Sequence, residues 1–411
     1  MSDRELLLQA FERGTLVRPS PTHMSFVDVV RALAHASGVE VPLNEHSRDL
    51  ASHLRGVQHL VFLLADGMGI NLVDRIPRNS WIRRNTRRSI HATFPSTTTT
   101  AVTSIATGEH PATHAVAGWW VHLPALRAPA TVFLHDRAED GKSLTDLGLG
   151  ADDLSPSPPL LPRMTREVRL VVPEGIADSP YTMRMGGDCE RIAYRTHGEA
   201  VEAIVRALGA SAGPTFTYWY TPSPDAEEHD HGVEADRVFN ALGDLDEAAE
   251  TLAEALEDGG APWRIVGTAD HGHLDLDPRL EVAKEDPLLA HLDASPAGDM
   301  RVQFWHVRTG AEAEFEAAFQ QRFAGSFYLI RAREAEALGL FGPEPWSDVM
   351  HRRAGSHVSI SSGAAAMRFE GIPGIAGYRR MQSGHSGLSP QEMQVPLIIA
   401  GEATSNGGWG I

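Results

Sequence analysis

Three apolar segments of this sequence end in an aspartate, a side chain that can hold a metal ion or move a proton. Asp66 follows HLVFLLA, Asp225 follows TFTYWYTPSP and Asp270 follows WRIVGTA. A short apolar run that ends in turn residues is typical of a buried parallel strand. Ligands of open α/β sheets collect at the carboxyl ends of strands, so we expect the three aspartates to share one crevice.

Histidines accompany these aspartates at close spacing. His229 lies four residues after Asp225, His271 directly follows Asp270, and His385 lies in a glycine-flanked GHSG segment. Six oxygen and nitrogen ligands, three for each of two ions, leave coordination positions open, as in catalytic zinc sites. Two cations about 4 Å apart can hold the attacking and leaving oxygens of an in-line phosphoryl transfer.

Four threonines at 97–100 supply hydroxyl groups for such a site. Pro95 and the Ser/Thr cluster indicate a helix start, and Gly108 indicates its end. The N-terminus of a helix favours phosphate and a developing alkoxide, and coordination by a metal activates a hydroxyl nucleophile. The pattern alone does not choose among the threonines.

Each of these features has a simpler interpretation. Asp-Gly after a strand is commonly a turn, and threonines at a helix start are commonly caps. His231 competes with His229 as a ligand, while His273 is expected behind the ligands or facing solvent. The joint order of the residues carries the prediction.

Apolar strands alternate with amphipathic helices along the chain. This alternation predicts an α/β fold with a mostly parallel sheet covered by helices on both faces. Besides the strands above, the pattern predicts strands at 168–174 and 301–307, and helices at 98–106, 198–210, 234–258 and 311–323.

The domain prediction divides the 411 residues into three parts. A helical leader covers 1–57, a catalytic α/β core covers 58–279 and 361–411, and a smaller subdomain or insertion covers 280–360. Residues 120–165 have little periodicity and are expected to form a loop or a small excursion.

The charge balance excludes some partners. The net charge is −18, from 54 acidic and 36 basic residues. So acidic a chain is ill suited to nucleic-acid polymers or anionic membranes, and bound metal ions would supply the positive charge that attracts a phosphate ester. The lone Cys189 forms no internal disulfide, and the acidic N-terminal sequence does not read as a secretory signal. We predict a cytoplasmic protein with a small-molecule substrate.

In this order the segments resemble the alkaline phosphatase superfamily, and in particular its bacterial type I phosphodiesterase/nucleotide pyrophosphatase family. The resemblance rests on FLLADGMG, the helix that ends in Thr107-Gly108, PDAEEHDHG, TADHGH and GHSGLSPQEMQVPLI. It implies an alkaline-phosphatase-like three-layer sandwich with a smaller cap subdomain. It also implies that the nucleophile lies ten residues before the glycine, at Thr98. Thr93, in Thr-Phe-Pro, is the rival.

The resemblance further implies a two-metal site that forms a covalent phosphothreonine intermediate. One Zn²⁺, or another divalent ion such as Mn²⁺, would be held by Asp225, His229 and His385. The other would be held by Asp66, Asp270 and His271, with Thr98 between the two ions.

The implied activity is that of a phosphodiesterase or nucleotide pyrophosphatase. Diesterase relatives place an asparagine shortly after the nucleophile helix, whereas this chain reads HAVAGWW there, with Trp119 near that position. Trp119 is therefore a candidate for stacking on a flat substrate group, or for packing under a lid. The alternatives are a phosphomonoesterase, a phosphonate hydrolase and a metal-binding scaffold without activity.

Overall fold

The computed structural model describes residues 1–370 and 380–401. Its strands are β1 (His59–Ala65), β2 (Thr86–His91), β3 (Trp120–Leu123), β4 (Ala128–Thr131), β5 (Asp136–Arg137), β6 (Glu167–Pro173), β7 (Glu190–Tyr194), β8 (Thr215–Thr221), β9 (Trp263–Thr268), β10 (Leu274–Asp275), β11 (Arg279–Val282), β12 (Leu292–Gly298), β13 (Val302–Val307), β14 (Phe327–Arg331), β15 (His357–Ser361), β16 (Ala366–Phe369), β17 (Ser383–Gly384) and β18 (Gln394–Ala400). Its α-helices are α1 (Asp3–Glu12), α2 (Phe26–Ala36), α3 (Glu45–Ser52), α4 (Ile70–Val73), α5 (Trp81–Asn85), α6 (Thr98–Thr107), α7 (Pro111–His114), α8 (Ala151–Leu154), α9 (Pro180–Gly186), α10 (His197–Gly209), α11 (Asp225–His231), α12 (Asp236–Asp258), α13 (Glu312–Phe323), α14 (Ala332–Ala337), α15 (Asp348–Ala354) and α16 (Pro390–Met393).

A seven-stranded sheet forms the centre of the molecule, in the order β2-β18-β9-β1-β8-β6-β7. The five strands from β9 to β7 run parallel, and β18 pairs antiparallel with both β9 and β2. The prediction of a mostly parallel α/β sheet is therefore confirmed, with one antiparallel strand in it.

Burial on both faces explains why the central strands read as continuous apolar runs. Every residue of β1 is buried, which is the pattern of a parallel strand with helices over its sheet. Helix α10 contacts β6, β7 and β8, while α12 contacts β9. The amphipathic α12 turns Leu242, Leu245 and Leu252 inward.

A second seven-stranded sheet has the order β14-β15-β13-β12-β3-β4-β5. It corrects the expectation that 120–165 is a loop, because β3, β4 and β5 come from that segment and β3 pairs with β12. These strands are two to four residues long, so they leave no period-two pattern long enough to recognise. The predicted strand near 302–307 and the helix near 312–323 are confirmed.

The second sheet combines strands from 120–137 with strands from 292–361. The division of the chain into leader, core and inserted subdomain stays a prediction. Its segments 371–379 and 402–411 lie outside the described residues. Within the described part of the chain, no helix is long and apolar enough to cross a membrane.

Candidate metal centre

The three predicted aspartates lie together because their strands are neighbours. The order β9-β1-β8 puts β1, which leads to Asp66, between the strands that lead to Asp270 and Asp225. Backbone and side-chain hydrogen bonds join the three strand ends. The Asp225 N–H donates to the Asp66 carbonyl oxygen (3.1 Å), and the Gly67 N–H donates to Asp270 Oδ1 (3.1 Å).

Asp66, Asp270 and His271 form one group that could hold a metal ion. Their ligand atoms lie within 4.8 Å of one another, and all three residues are buried. His271 Nε2 is 3.3 Å from Asp66 Oδ1 and 3.4 Å from Asp270 Oδ2. Asp270 Oδ2 has no hydrogen-bond partner, so a buried carboxylate oxygen is left for a cation.

A second group surrounds Asp225. Its ligand atoms, from Asp225, His271, His273 and His385, also lie within 4.8 Å of one another. His385 Nε2 is 3.7 Å and His229 Nε2 is 3.4 Å from Asp225 Oδ1. The structure thus brings all six predicted ligands into one cluster. The rival ligand His231 is exposed.

For His273 the structure excludes one of the two predicted positions, the one that faces solvent. Its side chain is fully buried, and its Nε2 lies 2.7 Å from Asp225 Oδ1, so it does not face solvent. The only signal in the sequence was its place two residues after His271. The direction of a side chain in the loop after a strand cannot be read from such spacing.

Backbone carbonyl oxygens orient three of the imidazoles. The Nδ1 atoms of His229 and His385 lie 3.0 Å from the carbonyl oxygens of Ser383 and Ser96, and His271 Nδ1 lies 3.3 Å from that of Gly272. A carbonyl oxygen can only accept, so each Nδ1 carries a proton. Nε2 is then the nitrogen that could bind a metal ion, as in metal-ligating histidines.

The carboxyl groups of the cluster have opposite pKa shifts. Burial, with Asp270 and Asp225 nearby, raises the pKa of Asp66 well above its usual range. Burial acts in the same direction on Asp225, but the imidazoles of His229, His273 and His385 outweigh it and hold its pKa well below the usual range. Negative charge is therefore poorly compensated around Asp66, where a cation would relieve it.

Two further groups, the partly buried Tyr220 and the buried Glu228, adjoin the cluster and were missed in the sequence. The Tyr220 hydroxyl donates to Asp66 Oδ2 (2.6 Å). Glu228 is fully buried, and neither of its carboxyl oxygens has a hydrogen-bond partner. Burial, with Asp225 and Asp270 close by, raises the pKa of Glu228 well above its usual range. The three buried carboxyl groups and the partly buried Asp225 could match the charge of two divalent cations.

Thr98 places its hydroxyl at this cluster from the first residue of α6. The Thr98 Oγ1 atom is 3.1 Å from His271 Nε2 and 3.5 Å from Asp66 Oδ1. The neighbouring hydroxyls point elsewhere: Thr97 donates to Asp299 Oδ2, and Thr99 donates to the Gly118 carbonyl oxygen.

The rival nucleophile Thr93 is not among these contacts. It lines a separate cavity of about 440 Å³, together with His91 and Phe94. Its hydroxyl has no hydrogen-bond partner.

Trp119 lies beside Thr98 at a cavity of about 320 Å³. Its indole packs edge-on against Phe133, with ring centroids 5.6 Å apart. Trp120, the next residue, belongs to β3 and is buried in the core of the second sheet. Trp119 is therefore the member of the pair that faces the candidate site.

The fold and the strand-end cluster agree with the resemblance to the alkaline phosphatase superfamily, and the comparisons with known proteins identify the family. The family model for type I phosphodiesterase/nucleotide pyrophosphatase matches residues 60–143 and 160–325. The chain belongs to this family.

Solved structures with a similar fold include ectonucleotide pyrophosphatase/phosphodiesterase 5 from mouse and human. The murine structure has a TM-score of 0.60 at 13% identity, over 82% of this chain and 87% of that one. The human structure has a TM-score of 0.60 at 12% identity, over 83% and 87%. An inactive threonine-to-alanine variant of the murine protein, in complex with AMP, has a TM-score of 0.59 at 13% identity, over 83% and 87%. The search of curated proteins gave no match.

Proposed function

We propose that the protein is a two-metal phosphodiesterase in which Thr98 is the nucleophile. The observation that carries the proposal is the position of the Thr98 hydroxyl, within 3.5 Å of both Asp66 and His271 in a buried carboxylate–imidazole cluster. The threonine-to-alanine variant of the murine structural neighbour is inactive, which supports a threonine in this role.

The cluster residues fit two divalent ions. Asp66, Asp270 and His271 would hold one ion, and Asp225, His229 and His385 the other, with His273 beside Asp225. Zinc is the metal we propose, because imidazole nitrogen suits zinc better than it suits magnesium. When bound, the two ions would supply positive charge to the attacking and leaving oxygens.

Thr98 would act in two steps. Its Oγ attacks phosphorus: an Oγ–P bond forms, the bond from phosphorus to the leaving oxygen breaks, and the hydroxyl proton of Thr98 is released. The oxygen of a water molecule then bonds to phosphorus as the Oγ–P bond breaks, and a proton from that water restores the Thr98 hydroxyl. Asp66 Oδ1 accepts a hydrogen bond from this hydroxyl before attack, and the N-terminus of α6 favours the negative charge of the phosphate.

A diester fits the surroundings of Thr98 better than a monoester. A monoester carries one organic group, which leaves in line with the attack and on the far side of phosphorus from Thr98. The cavity next to Thr98 and Trp119 offers space for a second ester group on the near side. We therefore propose Trp119 as a substrate contact.

Replacement of the nucleophile tests the proposal. Thr98→Ala in the zinc-loaded protein is expected to lower kcat for bis-p-nitrophenyl phosphate by roughly three orders of magnitude or more, while Thr98→Ser retains measurable turnover. Zinc content, measured by atomic emission, is expected to stay near that of the wild-type protein.

Thr93→Ala is the matched control, because it removes the same hydroxyl from the rival position. It is expected to keep wild-type turnover. Full activity of Thr98→Ala would overturn the assignment of Thr98 as the nucleophile. Faster hydrolysis of p-nitrophenyl phosphate than of the diester would overturn the assignment as a diesterase.

A further inference from the structure

The described residues that line the cavity beside Thr98 include no charged side chain. The cavity lies between the carboxyl ends of β6 and β8, helix α9 and the segment that follows β4. Leu170, Val172 and Met185 form its apolar floor, with Phe133 and Trp119 on one side. Its volume of about 320 Å³ is at the lower end of the range for small-molecule pockets.

Most of the hydroxyl groups that line the cavity already have partners within the protein. The Tyr220 hydroxyl donates to Asp66, and Ser179 donates to Thr182 (3.0 Å). Thr103 donates to the Thr99 carbonyl oxygen, so the Tyr181 hydroxyl, 2.7 Å away, donates to Thr103.

A nucleobase would find few partners for its polar edge among these side chains. A polar group that enters such a pocket without a hydrogen bond loses its contacts with water, and this loss weakens binding by about 1–3 kcal/mol for each group. A hydrocarbon group has no such loss and gains by leaving water.

The mouth of the cavity is apolar as well. Leu134 is 64% exposed and Ile176 is 37% exposed, and both line the cavity. Exposed large hydrophobic residues at a binding groove are typical of a surface that contacts an apolar ligand. An apolar group longer than the cavity would continue along these two side chains.

We propose that this cavity, bordered by Thr98, Val172 and Trp119, binds an uncharged hydrocarbon group of the substrate, and that this group is the ester that stays on phosphorus. The inference rests on the proposed function, because the in-line geometry puts the leaving group on the far side from Thr98. The substrate class is then a phosphodiester with an aliphatic chain rather than a nucleotide.

A chain-length series tests this. The p-nitrophenyl esters of methyl, butyl and octyl phosphate, used below the concentrations at which they form micelles, share one leaving group. We expect kcat/KM to rise with chain length, by up to roughly fourfold for each buried methylene. The p-nitrophenyl ester of thymidine monophosphate is expected to react more slowly than the octyl ester.

Two variants localise the effect. Val172→Thr keeps the shape of the side chain but replaces one methyl group by a hydroxyl. Leu134→Ser removes an apolar side chain from the mouth of the cavity. Both are expected to lower the octyl-to-methyl ratio of kcat/KM several-fold. Leu6→Ser, which removes an exposed leucine on the distant α1, is the matched control and keeps the ratio.

The outcomes separate this inference from the proposed function. Suppose that the methyl ester is hydrolysed and that this activity requires Thr98. If chain length then has no effect, or the thymidine ester is the best substrate, the hydrocarbon site is wrong while the proposed phosphodiesterase function is retained. If none of the diesters is hydrolysed, both are wrong.

Discussion

At the scale of single residues, the protonation of His273 decides whether this side chain can bind a metal ion in the cluster. The Ser383 hydroxyl donates to the Glu228 carbonyl oxygen, so its oxygen accepts from Nδ1–H of His273, 3.0 Å away. Burial lowers the pKa of His273 to about 3, and the neutral ring then turns an Nε2 lone pair towards Asp225 Oδ1. This nitrogen and Asp225 Oδ1, 2.7 Å apart, could therefore bind the same cation.

Replacement of His273 is therefore expected to weaken metal binding. His273→Ala should lower the affinity of the more tightly bound zinc by about 10- to 100-fold, measured by competition with a chromophoric chelator. His273→Asn, which keeps a polar atom near Asp225, is expected to lose less.

His231→Ala is the control for this measurement, because His231 is an exposed histidine of the same helix as His229. It is expected to leave zinc affinity unchanged. Equal zinc affinity of His273→Ala and the wild-type protein would contradict the role of His273.

At the scale of elements, α6 depends on the glycine that ends it. Gly108 has a left-handed conformation, with φ of +73°, and a Cβ there would lie 2.8 Å from Leu160 Cδ1. Gly108→Ala is expected to lower the free energy of unfolding by about 2 kcal/mol, from backbone strain and this contact together. Denaturant titration measures the change.

Gly141→Ala separates the two causes. Gly141 has nearly the same φ, +69°, but a Cβ there meets no atom within 4 Å. It should show the backbone strain alone, about 1 kcal/mol. If the two variants are equally destabilised, the contact with Leu160 contributes nothing.

The elements that carry the site could be predicted because their signals are local. The strand β1 is apolar from its second residue to its end, and α6 lies between a Ser/Thr cluster and Gly108. The short strands β3, β4 and β5 could not be predicted, because none exceeds four residues and the pairing of β3 with β12 joins residues far apart in sequence.

The same distinction applies within the site. Most of the predicted ligands and Thr98 follow strand ends or begin a helix, where position along the chain implies position in the sheet, and His229 was predicted from its spacing to Asp225. Tyr220 and Glu228 carry no such signal: Tyr220 lies inside a strand, and Glu228 lies inside a helix at a spacing that no motif marks. Their role depends on which face they turn towards the cluster.

At the scale of the whole molecule, buried neutral histidines accompany a strongly acidic chain. The net charge is −18 and the chain has 20 histidines. Burial lowers the pKa of His91 to about 4 and that of His122 to about 3. Folding thus keeps these rings neutral at a pH where an unfolded chain would protonate them.

His114 gives the clearest prediction of this kind. It is fully buried between the Ser104 hydroxyl and the Val116 N–H, and burial, with His110 nearby, lowers its pKa from 6.5 to about 3. Between pH 6.5 and about pH 3, His114 therefore binds a proton in the unfolded chain but not in the folded chain. Stability falls over that window, by up to about 1.4 kcal/mol per pH unit for this one group.

The free energy of unfolding at several pH values between 4 and 7 tests this, with a chelator present so that proton-driven loss of metal does not contribute. His114→Asn retains an oxygen that can accept from the Val116 N–H. We expect it to lower the free energy of unfolding at neutral pH and to reduce the slope of that free energy against pH by the contribution of about one proton. His35→Asn, at an exposed histidine on α2, should keep the wild-type slope. Equal slopes for His114→Asn and the wild-type protein would mean that His114 already binds its proton in the folded state, and the acid sensitivity would then belong to the other buried histidines.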